Sequence, residues 1–160
     1  MKPLPIIWQR LVDASGRTCE RCGSTEGALG HAVANLKTAL APLGIEPTLE
    51  TREIDQAGFQ RDPSASNRIW IAGRPLEEWL GARTGSSQCC SVCGDADCRT
   101  VELGNTVYEA VPEELIVQAA LAAASQALAP AAASAGCGAQ NSRDTQCCPS
   151  PKAQTAVRTC

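Results

Sequence analysis

The ten cysteines of this 160-residue chain fall into three groups: Cys19 and Cys22; Cys89, Cys90, Cys93 and Cys98; and Cys137, Cys147, Cys148 and Cys160. This grouping constrains the chain more than any other feature. Thiols gathered in short stretches build sites, whereas scaffold disulfides are spread along a small secreted domain. How the groups are read depends on the redox compartment. The N-terminal stretch Met1–Arg10 has one early lysine and an apolar run too short for a secretory signal. The longest apolar stretch, 115–124, is broken by Gln118 and is mostly alanine, which is too little to span a bilayer core of about 30 Å. A soluble, cytoplasmic protein is expected. In that reducing setting, dense cysteine points to metal ligands, exchanging thiols or sensors.

The formal charge of −3 is carried without any basic run, so the chain has no cationic surface for nucleic acid. Large side chains are scarce, with only Trp8, Phe59, Trp70, Trp79 and Tyr108 aromatic. Length and core size fit one domain, expected over residues 1–129. Residues 130–160 are rich in Ala, Ser, Gly, Gln and Pro, and they read as a flexible tail carrying the last four cysteines.

The short apolar run 4–12 predicts a first strand. Leu29, Val33, Leu36, Leu40 and Leu43 recur three and four apart, predicting an amphipathic helix with Ser24 as its N-cap and Gly44 as its stop. Ile45–Ile54 reads as a half-exposed second strand, 55–67 as a connection, and 68–72 as a buried third strand. Pro75 suits the start of a short helix bearing Leu76, Trp79 and Leu80. After a cysteine loop over 81–99, Gly104-Asn105 marks a hairpin, and a last helix runs from Pro112 to about Leu128. Trp70 and Trp79 read as core anchors, and His31, off the apolar stripe, as a solvent-facing side chain. A helix between the first two strands favours a parallel pair with a right-handed crossover. The expected fold is a thioredoxin-like α/β sandwich, with a mixed sheet of about four to five strands flanked by helices.

Cys19-Glu20-Arg21-Cys22, after a strand and before a helix, is placed like the active motif of thioredoxin-like proteins. Unpaired N–H groups at a helix start favour thiolate. Arg21 would add to that effect and Glu20 would oppose it. On this reading Cys19 attacks and Cys22 resolves, as in a thiol-disulfide oxidoreductase. A competing reading is zinc: Cys22-Gly23 and Cys93-Gly94 each end a CxxCG turn, and two such pairs make a closed four-sulfur site. An iron–sulfur centre is a third use of the same thiols. Cys89, Cys90, Cys93 and Cys98 exceed what packing needs and select soft ions: zinc, Cu(I), mercury or trivalent arsenic. The tail thiols can sweep towards that cluster and raise the local thiol concentration. The adjacent Glu77 and Glu78 diverge on their helix and make no carboxylate pair.

Trp8-Gln9-Arg10-Leu11-Val12, Thr18–Cys22, Ser66–Ile71, Gly73–Gly81 and Cys89–Gly94 together resemble DUF2703, a bacterial family of unknown function, over roughly residues 4–128. The resemblance implies a thioredoxin-like fold and no particular activity. Ser66-Asn67 stand where thioredoxins carry the proline that faces the CxxC and excludes metal from it, so metal binding at Cys19 and Cys22 is easier here. The functional expectation is a cytoplasmic thiol protein that binds mercury, arsenite, copper or zinc, or exchanges disulfides with a thiol-reducing protein, in detoxification or redox stress. The alternative is a non-catalytic, zinc-stabilised interaction domain.

Overall fold

A computed structural model of the chain describes residues 1–89 and 93–129. Cys90 and the tail cysteines Cys137, Cys147, Cys148 and Cys160 lie outside the described residues, as does the expected tail itself.

Strand β1 (Lys2–Leu11) alternates so that Leu4, Ile6 and Trp8 are fully buried, while Ile7 and Gln9 turn to the other face. Helix α1 (Glu20–Leu40) follows, and its stripe of Cys22, Thr25, Leu29, Ala32, Val33, Leu36 and Leu40 recurs three and four apart to cover that face. A 3-10 turn over Ala41–Leu43 ends at Gly44, whose φ of 68° lies in the left-handed region that glycine occupies without strain. The chain returns as β2 (Ile45–Ile54), parallel to β1 from Lys2↔Ile45 to Leu11↔Ile54. The connection then folds into a short helix α2 (Gln56–Arg61) and a 3-10 turn over Pro63–Ala65, and Phe59 of α2 is wholly buried.

Strand β3 (Arg68–Ile71) runs antiparallel to β1, and the two-residue β4 (Arg74–Pro75) turns back on it. The resulting four-stranded mixed sheet has the order β2-β1-β3-β4. Helix α3 (Leu76–Leu80) leads to β5 (Arg83–Gln88), β6 (Asp97–Leu103) and β7 (Thr106–Tyr108), which form a second, antiparallel sheet in the order β5-β6-β7. Helix α4 (Glu113–Leu128) packs an alanine-rich face, with Leu115 and Ile116, against α1 and α3. The alanines let helix axes approach closely, which suits a core with so few aromatic rings.

The expected mixed α/β architecture holds, and several local readings are corrected. Ser24 is not the N-cap. Cys19 takes the extended cap conformation, and the Gly23 N–H donates to the Cys19 carbonyl, so the helix starts at Glu20 and runs through Gly23. Leu43 falls in the 3-10 turn and is half exposed rather than on the buried stripe. Trp70 is not a core anchor: Ile69 and Ile71 take the inward positions, and Trp70 lies half-buried under the Arg68 guanidinium, 4.9 Å from its ring centre. The 104–105 hairpin forms as expected but joins β5 in a separate sheet. Part of the expected cysteine loop is that strand.

Candidate metal centre

The end of β1 leads through an Asp13–Arg17 turn to Cys19, at the first turn of α1. The Asp13 carboxylate accepts from the Ser15 hydroxyl and from the N–H groups of Ser15 and Arg17. The Ser15 hydroxyl, followed by the Arg17 N–H, holds this carboxyl at about 2. Thr18 donates to the Leu11 carbonyl and closes the loop. Cys19 and Cys22 are 4 % and 2 % exposed, so both thiols of the CxxC turn are sealed from bulk solvent.

The second sheet brings the later thiols to that turn. Arg21, inside the CxxC, donates from Nη1 to the Ser87 hydroxyl at 2.9 Å, and from Nη2 to the Gln88 carbonyl at 2.6 Å and to Glu109 at 2.7 Å. Its guanidinium therefore clamps the end of β5 onto the start of α1. Cys89 follows directly, with its Sγ 3.8 Å from that of Cys19. The Sγ atoms of Cys19, Cys89 and Cys93 all lie within 4.8 Å of one another. A tetrahedral ion with bonds of about 2.3 Å to sulfur needs its sulfurs about 3.8 Å apart, so the Cys19–Cys89 edge already has ligand spacing.

Two further thiols flank this trio. Cys22 lies 3.7 Å from the Ser66 hydroxyl, which itself accepts from the Leu11 N–H. The hydrogen bond from Cys22 to Cys19, reinforced by burial, pushes the Cys22 thiol well above its ordinary value of 9.0, against smaller opposing effects of Thr18 and Ser66. Cys98, on β6, has its Sγ 2.9 Å from that of Cys93. Burial first, then hydrogen bonds with Cys98 and Cys89 and the charges of Cys98 and Cys19, raise the Cys93 thiol far above 9.0. Among the described thiols only Cys89 is partly exposed. It opens onto a cleft of about 350 Å³ lined by Glu20, Arg21, Ser24, Gln88, Glu109 and Ala110. A larger cleft of about 540 Å³, between Asp62, Asp95, Asp97 and Arg99, has no thiol on its walls.

The structure thus joins the early dithiol to the later group, with one contribution from the CxxC and two from the cysteine-rich segment. The second CxxCG pair of the zinc reading includes Cys90, which lies outside the described residues; among the described residues Cys89 completes the trio with Cys19 and Cys93. His31 is exposed, as expected. The supporting residues that sequence reasoning missed are Arg21 as a clamp, Ser66 at Cys22, and a buried ion pair next to Cys98. In that pair, Arg99 donates from Nη2 at 2.8 Å and from Nε at 3.1 Å to Glu77. Glu77, set aside as one of two diverging carboxylates on α3, has its partner on β6.

Fold and site define a mixed α/β protein built around a buried multi-thiol cluster. Residues 4–120 match the family described as "Domain of unknown function (DUF2703)", and the chain belongs to that family. It is similar to an uncharacterized protein of Archaeoglobus fulgidus, 43 % identical over 113 residues that cover 71 % of this chain and 82 % of the relative. No solved structure matches the chain. No helix among the described residues is long and apolar enough to cross a membrane.

Proposed function

We propose that this chain is a cytoplasmic thiol protein that captures a soft, thiophilic metal or metalloid ion through Cys19, Cys89 and Cys93, on a thioredoxin-like scaffold, in metal or redox stress. The observation that carries this reading is the convergence of three thiols to within 4.8 Å from positions 70 residues apart in the chain. Soft thiolates select Zn²⁺, Cu(I), Hg²⁺ or trivalent arsenic over harder ions. The order β2-β1-β3-β4, with a helix crossing between the parallel strands and a helix after the antiparallel pair, supports the thioredoxin-like assignment. Cys19, at 4 % exposure, is too enclosed to attack a bulky protein disulfide directly. Ion capture therefore fits the site better than general disulfide reduction.

The test is titration of the reduced full chain with Cd²⁺, followed by thiolate-to-metal absorption. One equivalent should bind, and Cys19→Ser should lose at least 100-fold in affinity while keeping its circular-dichroism spectrum. Unaltered binding by that variant removes the assignment. A second reading, a zinc-stabilised interaction domain, is favoured by the near-complete burial of Cys19, Cys22, Cys93 and Cys98. Structural zinc sites contribute folding free energy outright, so chelation would unfold such a domain. A capture protein stays folded when stripped.

A further inference from the structure

The five described thiols are not equivalent in spacing. Cys19 and Cys89 sit at the separation of two ligands on one ion, whereas the Cys93 and Cys98 sulfurs are 2.9 Å apart. That is shorter than the roughly 3.8 Å edge of a tetrahedral thiolate site, the separation already present between Cys19 and Cys89. It leaves a movement of about 0.9 Å to a disulfide bond of about 2.0 Å. Cys93 belongs to the trio and Cys98 does not. Four residues separate them, and Gly94 at φ 66° turns the chain so that the start of β6 comes back under Cys93.

We propose that Cys93 and Cys98 are a redox pair that gates the ion site: a disulfide between them withdraws one of the three ligands and releases the ion. This deepens the ion-capture reading and rests on it. The oxidant is a low-molecular-weight disulfide, R–S–S–R, which reaches the cluster at Cys89, the partly exposed thiol on the cleft. The Cys89 sulfur attacks one sulfur of R–S–S–R, forming Cys89–S–S–R and expelling R–S⁻, which takes up the proton that Cys89 gave up. The Cys93 sulfur then attacks Cys89 Sγ, releasing the second R–S⁻ with the Cys93 proton. Cys98 attacks Cys93 Sγ, leaving the Cys93–Cys98 disulfide and returning Cys89 as a thiol with the Cys98 proton. The net change is two protein thiols plus one disulfide to one protein disulfide plus two R–SH, so atoms and electrons balance. Each step is thiol–disulfide exchange between neighbouring sulfurs.

The experiment uses the reduced, ion-free full chain, treated with oxidised glutathione, blocked with iodoacetamide and digested. Cleavage before Asp95 and Asp97 separates Cys93 from Cys98, so their disulfide keeps two fragments joined in the mass spectrum until reductant is added. The expected result is that this bond forms first, with Cys19 and Cys89 alkylated. The oxidised chain should bind Cd²⁺ at least tenfold more weakly and recover on reduction. Reduced Cys98→Ser, or Cys98→Ala if the serine variant misfolds, should bind Cd²⁺ within about twofold of the unaltered chain. A first disulfide between Cys19 and Cys22, an unchanged Cd²⁺ affinity after oxidation, or a tenfold loss in both reduced Cys98 variants overturns the gate. If the reduced chain takes up no Cd²⁺, the ion-capture reading fails and the gating role falls with it, while the disulfide map still decides the pairing.

Discussion

Arg21 donates to the Gln88 carbonyl at 2.6 Å, and this bond between the middle of the CxxC turn and the last residue of β5 sets Cys89 beside Cys19. The same guanidinium reaches the Ser87 hydroxyl and Glu109, which in turn accepts from that hydroxyl at 3.0 Å. Glu109 is more than half exposed, so its ion pair with Arg21 contributes little by itself. What matters is the fork: one planar group satisfies a carbonyl, a hydroxyl and a carboxylate in fixed directions. Arg21→Ala should weaken Cd²⁺ binding about tenfold, equivalent to about 1.4 kcal/mol. Arg21→Lys should fall between, since a point charge cannot hold all three partners, and Glu109→Gln should change little. Competition titration against a chromophoric chelator reads all three, and wild-type affinity in Arg21→Ala would show that the strand end is placed without the clamp.

The buried thiols make both ion uptake and stability depend on pH, in opposite directions. Binding requires thiolate, and Cys93, held protonated by burial and by Cys98 and Cys89, must release its proton to the solvent. Affinity should therefore rise with pH by about tenfold per unit for each proton released. For the ion-free chain, Cys22 and Cys93 keep their protons when folded but lose them near 9.0 when unfolded. The unfolded state then binds fewer protons, and stability falls as pH rises above about 9. Urea denaturation at pH 7, 9 and 10 checks this, with Cd²⁺ expected to offset the loss. A stability that rises through this range would contradict the buried, protonated state.

The first sheet was readable because each of its elements carries its own local pattern. Ile6 and Trp8 alternate on β1, the Leu29–Leu40 stripe repeats on α1, and Gly44 stops that helix at a positive φ. Cys19, Cys89 and Cys93 stood out as candidates because they fall in short, thiol-rich stretches. The second sheet was readable only in its β6–β7 hairpin, marked by Gly104-Asn105, since β5, Arg-Thr-Gly-Ser-Ser-Gln, has no apolar alternation. Its place depends on Gly85, where a side chain would collide with Glu102 and Thr100 across the ladder. The choice of Cys89 as partner for Cys19 was equally hidden, because it depends on Arg21 reaching a carbonyl 67 residues away. Trp70 was misread because a β3 of four residues gives too few positions to fix which face is inward.

Arg99 and Glu77 form the buried hinge between α3 and β6, with Arg99 also donating to the Ser64 carbonyl and the Thr84 hydroxyl. Their side chains are 5 % and 8 % exposed. Removing one partner of such a pair strands a charge and costs about 3–5 kcal/mol. Arg99→Met should thus destabilise the chain strongly, and because Arg99 adjoins Cys98, should slow formation of the Cys93–Cys98 disulfide. Thermal unfolding with disulfide mapping checks both effects. A mild loss would mean that water enters the site and solvates Glu77.

Asp13 organises the loop that delivers Cys19. Its carboxyl sits at about 2 when folded against 3.8 ordinarily, chiefly because the Ser15 hydroxyl and the Arg17 N–H bond to the ionised form. A carboxyl depressed in the folded state contributes stability above about 4, and that contribution is lost as pH falls towards 2. The 13–17 turn should loosen over this window, followed by amide exchange at Ser15 and Arg17. Asp13→Asn should lose that acid transition. An Asp13 titration midpoint near 4 by carbon NMR would remove the claim.

Cys19 and Cys22 are separated by two residues, yet the geometry assigns them different chemistry. Cys19 belongs to the trio within 4.8 Å, while Cys22 lies under the helix against Ser66 and supports Cys19 through a hydrogen bond. A symmetric CxxC ligand pair would make the two serine variants equally damaging. Here Cys19→Ser should lose at least 100-fold in Cd²⁺ affinity, whereas Cys22→Ser should lose about tenfold or less, because a serine hydroxyl can take over the supporting role. Ser66→Ala should reproduce the smaller effect, leaving Cys22 without the hydroxyl beside it. Isothermal titration of the three variants side by side decides the matter. Equal losses at positions 19 and 22 would return the site to a conventional dithiol and remove Cys89 from its centre.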